Sequence, residues 1–119
     1  RSVAGCVPVR EVGSNYEILV VKSSKKEGRW LFPKGGIKKS EVGEEAAVRE
    51  CFEECGVTGE LILPDLGTWQ VKKENHKMWL LVCTAESANY DETEREKQWL
   101  SFEDTKKVFS SMKDNGDAR

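Results

Sequence analysis

Short apolar stretches separated by polar turns occupy most of this chain, and they predict a series of β-strands. The first two strands are predicted at residues 3–9 and 16–22, with a turn at Gly13, Ser14 and Asn15 between them. Further extended segments are predicted at residues 61–63, 67–72, 77–85 and 98–101, and a short apolar segment at 30–32 leads into Pro33. The segment 77–85 is the strongest predicted strand of the second half.

One central stretch has a different period. Its apolar positions recur at the spacing of one helix face and predict a helix from about residue 42 to residue 55; they are Ala46, Ala47, Val48, Cys51 and Phe52. A second helix is predicted at residues 102–112, with a buried side formed by Phe102, Val108, Phe109 and Met112. The tryptophans, Trp30, Trp69, Trp79 and Trp99, are expected in the core. This order of elements predicts an α/β fold in which a mixed sheet lies between helices.

Three carboxylates fall on one face of the central helix. Glu50, Glu53 and Glu54 are three and four residues apart, so their side chains are neighbours and repel one another. A divalent cation would compensate that repulsion, and Mg²⁺, with Mn²⁺ as a substitute, suits such oxygen ligands. Glu50 and Glu54 are the first candidates as metal ligands. Glu53 is a further ligand or the base that orients an attacking water, so Glu53 and Glu54 are the candidate catalytic residues.

The alternative is that these glutamates form a solvated helix face, and their neighbours argue against it. Gly35 and Gly36 end a Pro-containing turn, where bare backbone can approach a ligand, and the Gly36 carbonyl is a candidate metal ligand. Gly56 follows the last helical turn, where a left-handed cap is expected. Arg49 lies four residues before Glu53, which favours a structural ion pair that holds the carboxylates in place.

Length and composition are those of one compact domain. The chain has 119 residues, of which 38% are hydrophobic, and no apolar run approaches the ~20 residues of a membrane span. No signal-peptide pattern is present, and because the chain begins at Arg1 rather than Met, its natural ends are expected to lie outside this sequence. We expect residues 1–119 to form a single domain that acts as a monomer and has no membrane partner.

The four cysteines have none of the paired spacings that build zinc sites. Cys51 and Cys55 lie one helical turn apart beside the apolar face, so they are predicted to be small core residues. Reduced cysteines in a core are typical of cytosolic or nuclear proteins. A cytoplasmic location is therefore expected, with the nucleus as the alternative.

A strongly basic stretch precedes the carboxylates. The net charge is −2, but between residues 22 and 39 a single acid, Glu27, faces Lys22, Lys25, Lys26, Arg29, Lys34, Lys38 and Lys39. If the loops fold over the metal face, these cations would hold outlying phosphates, so a small polyphosphorylated substrate is expected. The alternative for any single lysine is a solvated, mobile loop. A nucleic-acid partner is disfavoured because the cations are confined to one region and no RNA-binding motif accompanies them.

The spacing of these residues resembles the Nudix box, which runs here from Gly35 through Glu41 to the segment RECFEECGV at 49–57. Other features resemble the diphosphoinositol polyphosphate phosphohydrolase branch of that family: AGC at 4–6, RWLFPKGG at 29–36, His76 with Lys77, QWL at 98–100 and FED at 102–104. Together they span most of the chain. The resemblance implies a Nudix α/β/α sandwich and hydrolysis of a phosphoanhydride bond by metal-activated water.

In that branch, basic and small polar residues hold the inositol phosphates. By position, the resemblance assigns substrate contacts to Arg1, Ser23, Lys25, His76 and Lys113. Lys34 and Gly35 of the turn are further candidates, while the alternative for the sole histidine is a structural role. Three departures stand out: Lys34 occupies a glycine position of some relatives, Glu74 stands where a basic phosphate contact is expected, and Cys51 replaces a bulky aliphatic residue.

The resemblance implies diphosphoinositol polyphosphates as preferred substrates and diadenosine polyphosphates as second substrates. One rival is a neighbouring Nudix branch that hydrolyses dinucleoside polyphosphates or the 5′ end of RNA, because the FPKGG turn also resembles those enzymes. The other rival is a non-catalytic Nudix binding module, which predicts a replaced box glutamate. Glu50, Glu53 and Glu54 are all present.

Overall fold

The computed structural model describes residues 1–114, with side chains to residue 112. Its strands are β1 (Ser2–Val12), β2 (Asn15–Lys22), β3 (Trp30–Leu31), β4 (Lys34–Gly36), β5 (Val57–Val71), β6 (Glu74–Glu86) and β7 (Lys97–Ser101). The helices are α1 (Gly43–Cys55) and α2 (Phe102–Asp114). Neither of these helices is long and apolar enough to cross a membrane.

The strands of residues 1–114 form one mixed sheet. Five lie in the order β3-β2-β1-β6-β5, while β4 pairs with β1 and β7 pairs with β2. Strands β1 and β6 run parallel, with Val3 opposite His76, and the other pairs are antiparallel. Helix α1 packs on β1, β4 and β5, and α2 packs on β2 and β7. The predicted mixed sheet with packed helices is confirmed.

The core joins α1 to the centre of the sheet. Cys51 and Cys55 are fully buried there beside Cys6, Leu19 and Leu81, in agreement with their predicted core role. All four cysteines are free thiols. A second apolar cluster forms where the small residues of α1 meet Trp79; its members are Ala4, Ala46, Ala47 and Trp79. The cytoplasmic location stays a prediction.

Two predicted core residues are exposed instead. Phe102 is 61% exposed because it is the first residue of α2. Trp69 is 47% exposed because β5 is the outermost strand of the sheet and pairs with β6 alone. Trp79 is buried as predicted, and Phe109 stacks on Phe32 with ring centroids 4.9 Å apart. The segments predicted at 61–63 and 67–72 form one long strand with an irregularity between Ile62 and Gly67.

Candidate active site

Helix α1 places Glu50 and Glu54 in the wall of a pocket of about 290 Å³. Because residues four apart lie on the same helix face, both carboxylates reach this pocket. Gly56 ends the helix in the left-handed conformation, with φ of 73°, which turns the chain directly into β5. Other polar residues of the wall come from the chain start, the loop after β2, β4, β6 and the segment before β7: Arg1, Ser23, Ser24, Lys25, Lys34, Gly35, Glu74, Glu92 and Arg95. We call this space the carboxylate pocket.

Glu54 is the most deeply placed acid of the carboxylate pocket, with 6% of its surface exposed. Burial, together with the hydrogen bond to Glu50, raises the pKa of Glu54 to about 8 against the opposing charge of Arg95. The Arg95 guanidinium lies 3.3 Å from Glu54 Oε1 and 3.0 Å from Glu92 Oε1. Glu50 and Glu54 therefore share a proton. A cation bound in its place would allow both carboxylates to ionise.

Arg49 joins the turn, the helix and the acids around it. Its Nε and Nη2 atoms donate to the Glu41 carboxylate at 2.7 and 3.0 Å. Its Nη1 atom donates to Glu50 at 3.0 Å and to Glu53 at 3.2 Å, and Nη2 also donates to the Gly36 carbonyl at 3.0 Å. The hydrogen bond from Arg49 lowers the pKa of Glu41 to about 2. A single guanidinium thus fixes Glu50 of the carboxylate pocket to Glu41, Glu53 and the Gly36 carbonyl beside it.

Glu53 and the Gly36 carbonyl are bound by the same guanidinium that binds Glu50. Both are engaged by Arg49, and neither residue lines the carboxylate pocket. Within residues 1–114, no three His, Cys, Asp or Glu side chains are grouped to hold a metal ion. Of the three predicted carboxylates, Glu50 and Glu54 line the pocket, and Glu53 is joined to Glu50 through Arg49 Nη1.

The backbone at Gly35 passes directly against Glu50. A Cβ atom at this position would lie 2.2 Å from the carboxylate carbon of Glu50, far inside van der Waals contact. A side chain at this position would therefore displace the Glu50 carboxylate from where it now lies. At Gly36 an added Cβ would meet the flexible end of Arg1, with 2.8 Å to Nη1.

His76 is 3% exposed and lies outside the carboxylate pocket. Its Nε2 atom is 3.0 Å from Glu74 Oε1, while Arg1 Nε donates to Glu74 Oε2 at 2.7 Å. The hydrogen bonds from Arg1 and His76 lower the pKa of Glu74 to about 2. Arg1 and His76, which were predicted to contact substrate phosphates, are thus both bound to the Glu74 carboxylate.

A second pocket of about 610 Å³ adjoins the first and shares Lys34 and Glu74 with it. Its wall is strongly basic and contains Lys26, Arg29, Lys34, Val71, Lys72, Lys73, Glu74 and His76. We call it the basic pocket. Of the predicted cationic stretch, Lys25 and Lys34 reach the carboxylate pocket and Lys26 and Arg29 reach the basic pocket.

The family of the chain follows from comparison with known proteins. A model described as the NUDIX domain matches residues 1–117. The chain belongs to the Nudix family. Nudix hydrolase 4 of Arabidopsis thaliana is 40% identical over 123 residues, covering 91% of this chain and 58% of that protein. Diphosphoinositol polyphosphate phosphohydrolase 3-beta of Bos taurus is 34% identical over 102 residues, covering 82% of this chain and 62% of that protein.

The chain therefore spans less than two thirds of the length of these Nudix relatives. Among solved structures, a C. elegans Ap4A hydrolase in a binary complex superimposes with a TM-score of 0.71 and 26% identity. That alignment covers 90% of this chain and 84% of the neighbour. The predicted Nudix fold is confirmed.

Nudix hydrolases generally use a divalent metal, and the donor set of the carboxylate pocket fits one. Glu50 and Glu54 are hydrogen-bonded to each other in a buried position, so an added cation would relieve their repulsion. Mg²⁺ usually takes one or two carboxylates and completes its shell with water and phosphate oxygens. Glu50 and Glu54 therefore provide enough protein ligands for Mg²⁺.

Sequence reasoning missed several residues of this Nudix site. Glu92 and Arg95 lie in the run DETEREK at 91–97, which has the composition of a solvated segment. Their partners, Glu54 and the Lys22 carbonyl, are distant in sequence. Lys72 and Lys73 follow β5 and were outside the recognised basic stretch. The side chain of Lys113 lies outside the described part of the chain.

Gly35→Ala is expected to weaken metal binding by about tenfold or more while leaving the fold intact. The added methyl group collides with the Glu50 carboxylate, so one candidate ligand must move. The melting temperature measured against Mg²⁺ concentration reports this loss. Gly36→Ala is the matched control, because its methyl group meets only the end of a flexible arginine, and equal Mg²⁺ responses in both variants would contradict the assignment.

Proposed function

We propose that this chain catalyses Mg²⁺-dependent hydrolysis of phosphoanhydride bonds, with diphosphoinositol polyphosphates as preferred substrates. The observation that carries the proposal is the pairing of the buried Glu54 with Glu50 in a pocket whose other walls contain Arg1, Lys25 and Lys34. Acids that suit a divalent ion thus lie beside cations that suit phosphates. The printed name of the Bos taurus relative supports this substrate class.

In the proposed reaction, Glu50 and Glu54 would hold the metal ion. When bound, Mg²⁺ would lower the pKa of a bound water and neutralise charge on the departing phosphate. Of the two candidate bases, Glu54 is the one in the carboxylate pocket, so we assign proton acceptance from the attacking water to Glu54. Glu53 is assigned to the Arg49 network that orients the helix face.

Substrate phosphates would be held by the walls around the acids. Lys25 and Lys34 line the carboxylate pocket, and Ser23 lies beside them with its hydroxyl accepting from the backbone N–H groups of Lys25 and Lys26. The basic pocket extends this surface, since Lys34 belongs to both spaces. A ring bearing several phosphates would then place its diphosphate at Glu50 and Glu54 and its other phosphates toward the basic pocket.

A groove beside the site favours dinucleoside polyphosphates as a second substrate class. It encloses about 590 Å³ and contains the exposed Trp69 near Phe32, Phe109 and Lys34. An exposed tryptophan offers a flat face on which a nucleobase can stack. Lys34 also lines the carboxylate pocket, so a base in the groove would lie within reach of a phosphate chain in that pocket.

A side-by-side assay with Mg²⁺ tests the proposal. The substrates are a diphosphoinositol pentakisphosphate, a diadenosine polyphosphate and a 5′-triphosphorylated RNA, and phosphate release is followed for each. We expect the highest kcat/KM for the first. Faster hydrolysis of the second or third would place the chain in a neighbouring branch, and no hydrolysis of any would leave a binding module.

A further inference from the structure

Glu74 holds the Arg1 guanidinium and the His76 imidazole, two groups that could otherwise contact phosphates. It begins β6, and its two carboxylate oxygens contact different partners: Oε2 accepts from Arg1 Nε at 2.7 Å and Oε1 lies 3.0 Å from His76 Nε2. The side chain of His76 is 4% exposed, so it is fixed by the fold, while that of Arg1 is 65% exposed. The carboxylate therefore bridges a rigid ring and a surface guanidinium.

Its position lies on the boundary between the two pockets. Glu74 lines both the carboxylate pocket and the basic pocket, as Lys34 does. Five of the residues that line the basic pocket are lysine or arginine, and Glu74 is the acid among those that the structure places there. A substrate that reaches from Glu50 and Glu54 into the basic pocket must pass this charge.

A carboxylate and a phosphate present similar oxygens to a guanidinium. When Glu74 occupies Arg1 and His76, a substrate phosphate arriving at the same place finds the Arg1 charge already compensated and the His76 ring already hydrogen-bonded, and it also meets a like charge. Hydrogen bonds from Arg1 and His76 keep Glu74 ionised near neutral pH. Repulsion between neighbouring anions in a partly exposed site changes affinity by roughly tenfold.

We propose that Glu74 is a specificity-determining residue within the proposed substrate class: it weakens binding of rings that carry a phosphate at the Arg1–His76 position and favours diphosphoinositol polyphosphates that have a hydroxyl group there. This inference rests on the proposed function, because it refines the substrate class of the same site. The Arg1–His76 position acts as an anion site that the chain fills with its own carboxylate. A substrate with a hydroxyl group at that position donates a hydrogen bond to Glu74 instead of opposing it.

Calorimetric binding in one Mg²⁺ buffer tests the inference with two probes that are not hydrolysed. Inositol hexakisphosphate carries phosphates around the whole ring, and methylene diphosphonate carries only a linear pair. Glu74→Gln is expected to tighten the hexakisphosphate about tenfold and to change the diphosphonate less than twofold. Glu74→Ala, which also frees the Arg1 and His76 side chains, is likewise expected to tighten the hexakisphosphate more than the diphosphonate.

Glu60→Gln is the matched control, since Glu60 is an exposed residue of β5 outside both pockets and loses the same unit of charge. It should leave both affinities unchanged. The inference is overturned if neither Glu74 variant tightens the hexakisphosphate, if both probes tighten equally, or if Glu60→Gln has the same effect. Binding does not require turnover, so an inactive wild-type chain would contradict the proposed function and leave this test intact.

Discussion

Glu54→Gln is expected to reduce turnover by about 10³-fold or more while leaving the fold intact. Glu54 is the buried acid that we assign to metal binding and to proton acceptance, and an amide supplies neither the charge nor the base. Steady-state hydrolysis of the preferred substrate measures the loss. Glu44→Gln is the control, because Glu44 is exposed in the first turn of the same helix and lies outside the carboxylate pocket. Turnover that survives in Glu54→Gln would contradict the assigned role.

The same substitution is expected to stabilise the metal-free protein at pH 8. The pKa of Glu54 is about 8 in the folded protein against an ordinary value of 4.5, so the folded state binds this proton more tightly. The contribution of Glu54 to stability is therefore fully present below about pH 4.5 and is lost as the pH rises toward 8. Removing the ionisable group should raise Tm at pH 8 by roughly 3–6 °C, or about 1 kcal/mol.

Thermal unfolding from pH 5 to pH 8 checks this second effect. The difference in Tm between Glu54→Gln and the wild type should grow with pH in the absence of metal. Added Mg²⁺ should stabilise the wild type more than the variant, since the ion needs the carboxylate. A difference that shrinks with rising pH would show that burial does not oppose ionisation of Glu54.

Arg49→Met is expected to destabilise the fold by about 2–3 kcal/mol. The guanidinium is the common donor to Glu41, Glu50, Glu53 and the Gly36 carbonyl, so its loss leaves three acids without their cation. The value lies at the low end for broken ion pairs because water reaches part of the group. Urea unfolding at neutral pH measures the effect.

Arg49→Lys separates charge from geometry. A lysine keeps the positive charge but cannot donate in several directions at once, so we expect it to lose about half of the stability lost by Arg49→Met. It should also weaken the response of Tm to Mg²⁺, because Glu50 is no longer oriented. If the lysine variant matched the wild type in both measurements, the network would act through charge alone.

The spacing of residues along the sequence predicted those contacts of the site that lie within helix α1. The pairing of Glu50 with Glu54 and the contact of Arg49 with Glu53 both follow from helical periodicity. Helix periodicity did not reveal that Arg49 would also donate to the Gly36 carbonyl and join it to Glu50 and Glu53. That outcome depends on how closely β4 approaches α1.

Contacts between segments that are distant along the chain could not be predicted from the sequence. Arg95 reaches Glu54 because the segment before β7 folds over the end of α1, where the backbone N–H of Glu92 donates to the Glu53 carbonyl. Nothing in a run of alternating charges distinguishes this arginine from a solvated one. Trp69 was misplaced for a similar reason, since its exposure depends on β5 being the outermost strand.

The buried thiols give the folded chain a built-in reporter of opening. A hydrogen bond with Cys6 and burial raise the pKa of Cys51, and burial raises that of Cys55, so neither forms a reactive thiolate at neutral pH. An alkylating reagent would modify them only after the helix leaves the sheet. The rate of alkylation would then report how often the domain opens, and no external probe would have to be attached.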